Sequence, residues 1–311
     1  MIGLLLVTIR ARTLMSFHRI LHTILLGAAT LGAASAGSLA ITFEQPGYTP
    51  GNINGQQGWS KTGAYDAVVT NAAGAGGSAQ SLRISNGITS GSFGDQTFTP
   101  PLGVPAGEST VAGANDQFDV SFDFRPVVDT LQNGLFISVS ADNGSGGRMS
   151  WLGMGEDAAK GLYLGFYDWN KALNDANQDP WVYQLLASHL DMSVWHNVAV
   201  NIEFVDGPGN DVVTVALDGN VIGGGTTWED FYRYGPTSDG GGGGLFAVDS
   251  VLFRAGGTAA PATMGNGFYI DNINAASQTP EPGTVGLALI GVSLVLRRLR
   301  KLAATARGRA Y

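Results

Sequence analysis

The sequence predicts an all-β fold, a sandwich of two antiparallel sheets. In the segment Gln117–Arg125, every second residue from Phe118 to Phe124 is apolar and the residues between are polar. The same alternation runs from Asn197 to Phe204. A period of two is typical of strands with one buried and one solvated face. The chain contains 46 glycines and no long stretch with the helical period, so we expect many short strands joined by turns.

Turn sequences separate the remaining predicted strands. Asp206–Asn210 has the composition of a hairpin loop, and Asp218–Asn220 that of a tight turn. A barrel is the alternative arrangement of so many short strands, and we favour the sandwich. The further strands are predicted at Ile41–Glu44, Ser81–Ser85, Gly134–Ser140, Met149–Met154, Leu162–Asp168, Val212–Asp218, Val251–Arg254 and Gly267–Asn274.

Part of this pattern resembles a known superfamily. The strand that opens with Trp195-His196-Asn197-Val198, the loop after it and the strand ending at Asp218-Gly219 resemble the paired strands of concanavalin A-like (laminin G-like) jelly rolls. The entry Gly47–Trp59 and the closing strand Gly267–Asn272 extend the resemblance over most of residues 38 to 276. It implies a concanavalin A-like jelly-roll sandwich, a fold shared by lectins, glycanases and adhesion modules.

The N-terminal residues 1–36 predict a signal peptide that forms an N-terminal signal helix. Three arginines precede the apolar run Ile20–Leu31, and Ala34-Ser35-Ala36 is a cleavage site of small residues. Met15 would open a more ordinary signal than Met1, so either is a candidate start. A retained N-terminal anchor is the alternative.

The C-terminal residues 277–311 predict a membrane-associated tail. An apolar stretch at 284–296 follows the motif Pro280, Glu281 and Pro282, and a basic cluster follows the stretch: Arg297, Arg298, Arg300 and Lys301. As a helix these 13 residues extend about 20 Å, less than the ~30 Å hydrocarbon core, so they predict a short transmembrane helix. The cations would stay on the cytoplasmic side. The alternative is a buried C-terminal helix.

This order of motif, short apolar helix and basic cluster resembles the PEP-CTERM sorting signal of Gram-negative bacteria. The resemblance covers roughly Thr279 to Lys301. It implies recognition by an exosortase, a membrane protease, as the processing partner. It also implies an inner-membrane intermediate, a final place at the cell surface or outside the cell, and a host that makes extracellular polysaccharide.

Residues 37–276 are predicted to form one large domain, and two domains are the alternative. The chain has no cysteine, so its core has no disulfide to support it. The exported part contains eight Lys and Arg against 25 Asp and Glu, a net charge of −17. This charge excludes a general electrostatic attraction to nucleic acid or anionic lipid.

Catalysis is not expected. Glycoside hydrolysis needs a pair of carboxylates across the scissile bond. Laminarinase-like members of the superfamily that the chain resembles carry that pair as Glu-x-Asp-x-x-Glu, a spacing this sequence lacks. The exported part has two histidines, His189 and His196, so the residues for a zinc site or a catalytic triad are few. A glycoside hydrolase or other glycan-acting enzyme of the superfamily is the alternative.

A calcium ion is the one cofactor that the sequence suggests. Asp175, Asn177 and Asp179 place oxygen ligands at alternating positions, as the first half of a Ca²⁺ loop does. Pro180 departs from that pattern, because an EF-hand requires Gly at its position. An acidic surface loop is the alternative.

Aromatic residues in two long predicted loops, 168–184 and 225–245, suggest carbohydrate binding. The candidates are Trp228, Tyr232, Trp169 and Trp181. Their ring faces would stack on sugar C–H surfaces beside amides and carboxylates, and burial in the core is the alternative for each ring. The sequence therefore predicts an exported, non-catalytic protein for adhesion or carbohydrate binding, with extracellular polysaccharide as its partner.

Overall fold

A computed structural model describes residues 37–64, 66–89, 95–237, 241–256 and 258–279. The predicted signal peptide, the motif at 280–282, the apolar stretch at 284–296 and the basic cluster lie outside these residues. In the part of the chain that is described, no helix has the length and apolar character needed to cross a membrane. The two terminal segments and their domain boundaries therefore stay predictions.

The predicted sandwich of two antiparallel sheets is confirmed. Two short helices accompany the strands, α1 (Lys171–Asp175) and α2 (Glu229–Tyr234). In chain order the strands are β1 (Gly37–Ile41), β2 (Gly51–Asn52), β3 (Ser60–Lys61), β4 (Ala67–Thr70), β5 (Ser81–Ile84), β6 (Gln96–Phe98), β7 (Gln117–Pro126), β8 (Leu135–Asp142), β9 (Leu152–Asp157), β10 (Gly161–Trp169), β11 (Trp181–Leu190), β12 (His196–Glu203), β13 (Val212–Leu217), β14 (Asn220–Gly225), β15 (Ser250–Ala255) and β16 (Phe268–Gln278).

Of the described strands, nine form a large sheet and seven a small sheet. The large sheet has the order β14-β13-β12-β7-β16-β5-β4-β2, and β1 pairs with β16 beside this path. The small sheet has the order β11-β10-β9-β8-β15-β6-β3. Strand β15 lies between β8 and β6, so residues more than a hundred positions apart in sequence become neighbours on the small sheet.

The core lies between the two sheets. The apolar residues of β7, from Phe118 to Phe124, are buried, as the alternation predicted. The small sheet contributes Phe253 from β15, and its ring meets that of Phe122 edge-on with centroids 5.8 Å apart. Trp59 is buried and stacks on the ring of Phe253. One face of each sheet thus lies against the core. The outer side chains of β7 are half-buried, whereas outer side chains of the small sheet such as Ser138 and Arg254 are buried as well.

Two segments predicted as loops are partly regular. Residues 181–190 form β11, the edge strand of the small sheet, and residues 229–234 form α2. Strand β11 was missed because its side chains are half-buried or exposed along its whole length, and such a strand has no apolar–polar alternation. Trp181 therefore opens a strand instead of lying in a loop.

Candidate functional site

The open face of the small sheet carries a cleft of about 1640 Å³. Successive side chains of β8 point to opposite faces of the sheet. Ile137 and Val139 point into the core, whereas Phe136 lines the cleft. Tyr163 and Tyr167 of β10 line it in the same way, together with Trp151 just before β9. Helix α2 and the start of β11 add one wall, with Trp228, Phe231, Tyr232 and Trp181.

Glycines on the central strands let aromatic rings pack directly onto the sheet. A Cβ atom at Gly165 would lie 2.3 Å from the ring of Tyr183, and one at Gly155 would lie 2.6 Å from the hydroxyl of Tyr163. Both distances are far below van der Waals contact. Any larger residue would displace these rings. The Tyr163 ring lines the cleft, and the Tyr183 ring packs against Tyr167 of the lining with centroids 4.9 Å apart.

An aromatic cluster around Trp228 supports the wall. The ring centroid of Trp228 is 4.7 Å from that of Trp181 and 5.3 Å from that of Trp151. The indole N–H of Trp228 donates to the backbone oxygen of Tyr167 at 3.0 Å. Only 4% of Trp228 is exposed, against 37% of Trp181. Trp228 thus holds the wall in place, and Trp181 offers ring surface to the cleft.

Two arginines occupy the cleft beside Trp151. The guanidinium carbons of Arg148 and Arg254 lie 5.6 Å and 5.5 Å from the centroid of the Trp151 ring, within the range of cation–π attraction. Among the described residues that line the cleft, these two are the only charged ones, and none is Asp, Glu or His. The cleft surface is therefore aromatic and cationic.

Burial changes the acidity of these groups. It lowers the pKa of Arg148, and it lowers the pKa of Arg254 to about 10 with a further contribution from repulsion by Arg148. The carboxylates that oppose these shifts are Asp142 for Arg148 and Asp95 for Arg254. Both are fully buried, and neither belongs to the lining of the cleft. With a pKa of about 10, Arg254 stays protonated at neutral pH.

The predicted ring candidates have different positions. Trp181, Trp228 and Tyr232 line the cleft together. The hydroxyl of Tyr232 accepts the backbone N–H of Arg148 at 3.1 Å, so this buried side chain positions Arg148. Trp169 is 2% exposed and packs edge-on against Phe231. The expectation that Trp169 presents its ring to a ligand is not met, because the ring fills the core.

Of the residues predicted to bind calcium, Asp175 ends α1, and Asn177 and Asp179 lie between α1 and β11. Asp175 pairs with Lys171, and Asp179 accepts the backbone N–H of Trp181 at 3.0 Å. Asn177 has a left-handed backbone, with φ of 54°. Both carboxylates have protein partners, and calcium binding at these three residues stays a prediction.

A buried carboxylate cluster lies between the loop 205–211 and α2. Glu108, Asp211 and Glu229 each place an oxygen within 4.8 Å of the others. Arg233 forms ion pairs with Glu108 and Glu229. Asp211 accepts hydrogen bonds from the Val205 N–H and the Thr227 hydroxyl. The cluster thus fastens the loop to the helix. The sequence did not predict it, because its members lie far apart in the chain.

Burial is the main electrostatic effect on this carboxylate cluster. It raises the pKa of Asp211 to about 6. It also raises the pKa of Glu229 to about 7, and the neighbouring Asp211 adds to that rise. Both groups therefore hold a proton at higher pH than they would in an unfolded chain.

The chain is a sandwich of two antiparallel sheets with a cleft on the open face of the small sheet, and aromatic rings and two arginines line that cleft. No protein-family model matches it, and no curated protein is significantly similar to it. Several solved structures have limited similarity to it. The Emp47p carbohydrate recognition domain is 11% identical, with a TM-score of 0.40 over 80% of this chain and 99% of that one.

Two enzymes have comparable similarity. A carbohydrate esterase from the Shiga toxin-encoding bacteriophage phi24B is 14% identical, with a TM-score of 0.43 over 80% of this chain and 100% of that one. An endo-1,3-beta-glucanase from Streptomyces sioyaensis is 12% identical, with a TM-score of 0.38 over 78% of this chain and 90% of that one. At these values the similarity indicates neither a ligand nor a reaction for this chain.

Proposed function

We propose that this protein binds glycans outside the cell without catalysis, and that the cleft on the small sheet holds the ligand. The cleft itself supports the proposal, because Trp151, Tyr167 and Trp181 line it and are partly exposed. Tryptophan and tyrosine combine an apolar ring face with a polar edge. A sugar has the matching surfaces, with apolar C–H faces and hydroxyl groups around its rim.

The lining of the cleft supports binding over hydrolysis. Glycoside hydrolases use two carboxyl groups on either side of the scissile bond. No described residue of the lining is Asp or Glu. A glycan-acting enzyme is the competing proposal, and release of new reducing ends from a bound polysaccharide would favour it.

Removing an exposed ring from the cleft should weaken glycan binding. We expect Trp181→Ala to lower the affinity about 10- to 100-fold, by analogy with the cost of losing one base–aromatic stack. Its fold should persist, since Trp181 is a partly exposed residue of an edge strand. A glycan array on the full-length protein, followed by calorimetry with the best ligand, measures the change.

Trp195→Ala is the matched control for Trp181→Ala. Trp195 is also partly exposed and packs against Tyr269, with centroids 6.3 Å apart, at the large sheet. This variant should bind like the wild type. The proposed site is wrong if the wild type binds no glycan, or if Trp181→Ala keeps full affinity.

The location of the protein outside the cell rests on the two terminal segments. We propose that the PEP-CTERM-like tail directs an exported precursor to an exosortase. Deleting 297–301 should weaken retention of the precursor at the inner membrane, because the cations hold the tail on the cytoplasmic side. Cell fractionation with antibody detection measures this. Replacing Arg307 and Arg309 by Gln, beyond the cluster, is the control. Wild-type fractionation and maturation of the deletion variant would contradict the sorting proposal.

A further inference from the structure

Cations line the cleft of an otherwise acidic protein. The exported part contains eight Lys and Arg against 25 Asp and Glu. Arg148 and Arg254 line the cleft and stack on Trp151. Several other cations form ion pairs with carboxylates away from the arginine pair, namely Arg83, Lys160, Lys171 and Arg233. The charged residues that line the cleft are therefore opposite in sign to the net charge of the exported part.

The two cleft arginines are held in place by the fold. Arg148 donates from Nε and Nη2 to the backbone oxygen of Gly146, and its own backbone N–H is held by Tyr232. Arg254 pairs across the β15–β8 register with Ser138 and lies over the same indole ring as Arg148. Arg148 is 3% exposed and Arg254 is 5% exposed. Both guanidinium groups thus lie beside the same ring of the cleft lining, with little exposed surface.

Burial disfavours the charged form of both arginines, although Asp142 acts on Arg148 and Asp95 acts on Arg254. The pKa of Arg254 falls to about 10 because of burial and repulsion by Arg148. Asp142 and Asp95 oppose the lowering of the two arginine pKa values, but both carboxylates are fully buried and outside the lining. A ligand anion in the cleft would further stabilise the charged guanidinium groups, since such groups bind carboxylate and sulfate oxygens through two parallel hydrogen bonds.

We propose that the cleft selects acidic glycans, meaning sugar chains that carry carboxylate or sulfate groups, with Arg148 and Arg254 as the groups that bind the anion. This inference rests on the proposed function, because it specifies the ligand class of the same cleft. The stacking rings bind the sugar faces in any glycan, and the arginine pair distinguishes a charged chain from a neutral one.

Pairs of glycans that differ only in charge test the inference. Calorimetry on the full-length protein compares oligogalacturonate with its methyl ester for the carboxylate, and dextran sulfate with dextran for the sulfate. We expect the charged member of at least one pair to bind about tenfold more tightly or better, as for charge-assisted hydrogen bonds. Added salt should reduce that preference. The pair that shows it identifies which anion the cleft accepts.

Variants of one arginine locate the preference. We expect Arg254→Gln to reduce the affinity for the charged member about tenfold and to leave that for the neutral member unchanged. Arg254→Lys keeps the charge but loses the two parallel hydrogen bonds, so it should keep part of the preference. Arg125→Gln is the matched control, because Arg125 stacks in the same way on Trp195 and Tyr269, at 5.6 Å and 5.8 Å, on the large sheet. It should bind like the wild type.

The outcomes separate this inference from the proposed function. If the neutral member of each pair binds as tightly as the charged one, the acidic-glycan inference is overturned and glycan binding stands. If no member of either pair binds and the glycan array is also blank, both fail. An equal loss of preference in Arg254→Gln and Arg125→Gln would overturn the role of the cleft arginine. If Arg254→Gln does not fold, the wild-type comparison and Arg254→Lys decide.

Discussion

Phe122→Asp should prevent the sandwich from folding. Phe122 is fully buried, and its ring lies against Phe253 of the opposite sheet and 6.5 Å from that of Phe124. A carboxylate at this position would have no partner in the core, at a cost of several kcal/mol. Small domains have only about 5–15 kcal/mol of total stability. Circular dichroism during thermal unfolding should show a lost or strongly lowered transition.

Ser121→Asp is the control, because it adds the same charge one residue earlier on the same strand. Ser121 is half-buried on the outer face of the large sheet, where it lies opposite Ala199 and Asn274. Solvent reaches this face, so the change should cost less than about 1 kcal/mol. Equal melting temperatures for the two variants would mean that the two faces of β7 are wrongly assigned.

Arg233→Met should produce the second large loss of stability. Arg233 is the cation that pairs with Glu108 and Glu229, whose side chains are almost completely buried. Removing one partner of a buried ion pair leaves an uncompensated charge and costs about 3–5 kcal/mol. Urea unfolding at pH 7.5 measures the loss. Lys171→Met is the control, since its ion pair with Asp175 is exposed and such pairs contribute about 0–1 kcal/mol.

The pH dependence of unfolding gives a second readout for Arg233→Met. The folded-state pKa of Asp211 is about 6 and that of Glu229 about 7, above their usual values of 3.8 and 4.5. The folded state therefore binds these protons more tightly than the unfolded state does. Their contribution to stability is present below pH 4 and is lost as the pH rises through 6 to 7.

Loss of the cation raises both carboxylate pKa values further, so the variant should regain stability at pH 5 more strongly than the wild type does. A variant as stable as the wild type at pH 7.5, or one with no added pH dependence, would show that Arg233 does not neutralise the cluster. Either result would remove the electrostatic account of how the loop 205–211 is fastened to α2.

The sequence predicted the positions of most core strands, but it did not predict strand β11. The alternation in β7 and β12 indicates a buried face directly, because successive residues of a strand point to opposite sides. Strand β11 lies at a sheet edge with both faces partly solvated, so its residues carry no such pattern. Helix α2 is too short, at six residues, to show the helical period.

The cleft was only partly predictable. Trp181, Trp228 and Tyr232 were identified as candidate rings by residue type and loop length, yet the structure makes Trp228 and Tyr232 buried supports and leaves Trp181 partly exposed. Arg148 and Arg254 were not identified. Each is a single cation in its own segment, and only the pairing of β15 with β8 brings Arg254 to the face that also holds Arg148.

The sequence alone identified strands with one buried face, because period-two burial is a local property of each strand, and it favoured a sandwich of two antiparallel sheets over a barrel. The tertiary structure alone decided which outer face became a cleft, which rings stayed exposed and which charges met. Those outcomes depend on the neighbours that each strand acquires. The small sheet brings β9, the loop before it and β15 close together, so Arg148 and Arg254 both reach the ring of Trp151. The spacing of these residues along the chain does not predict this contact.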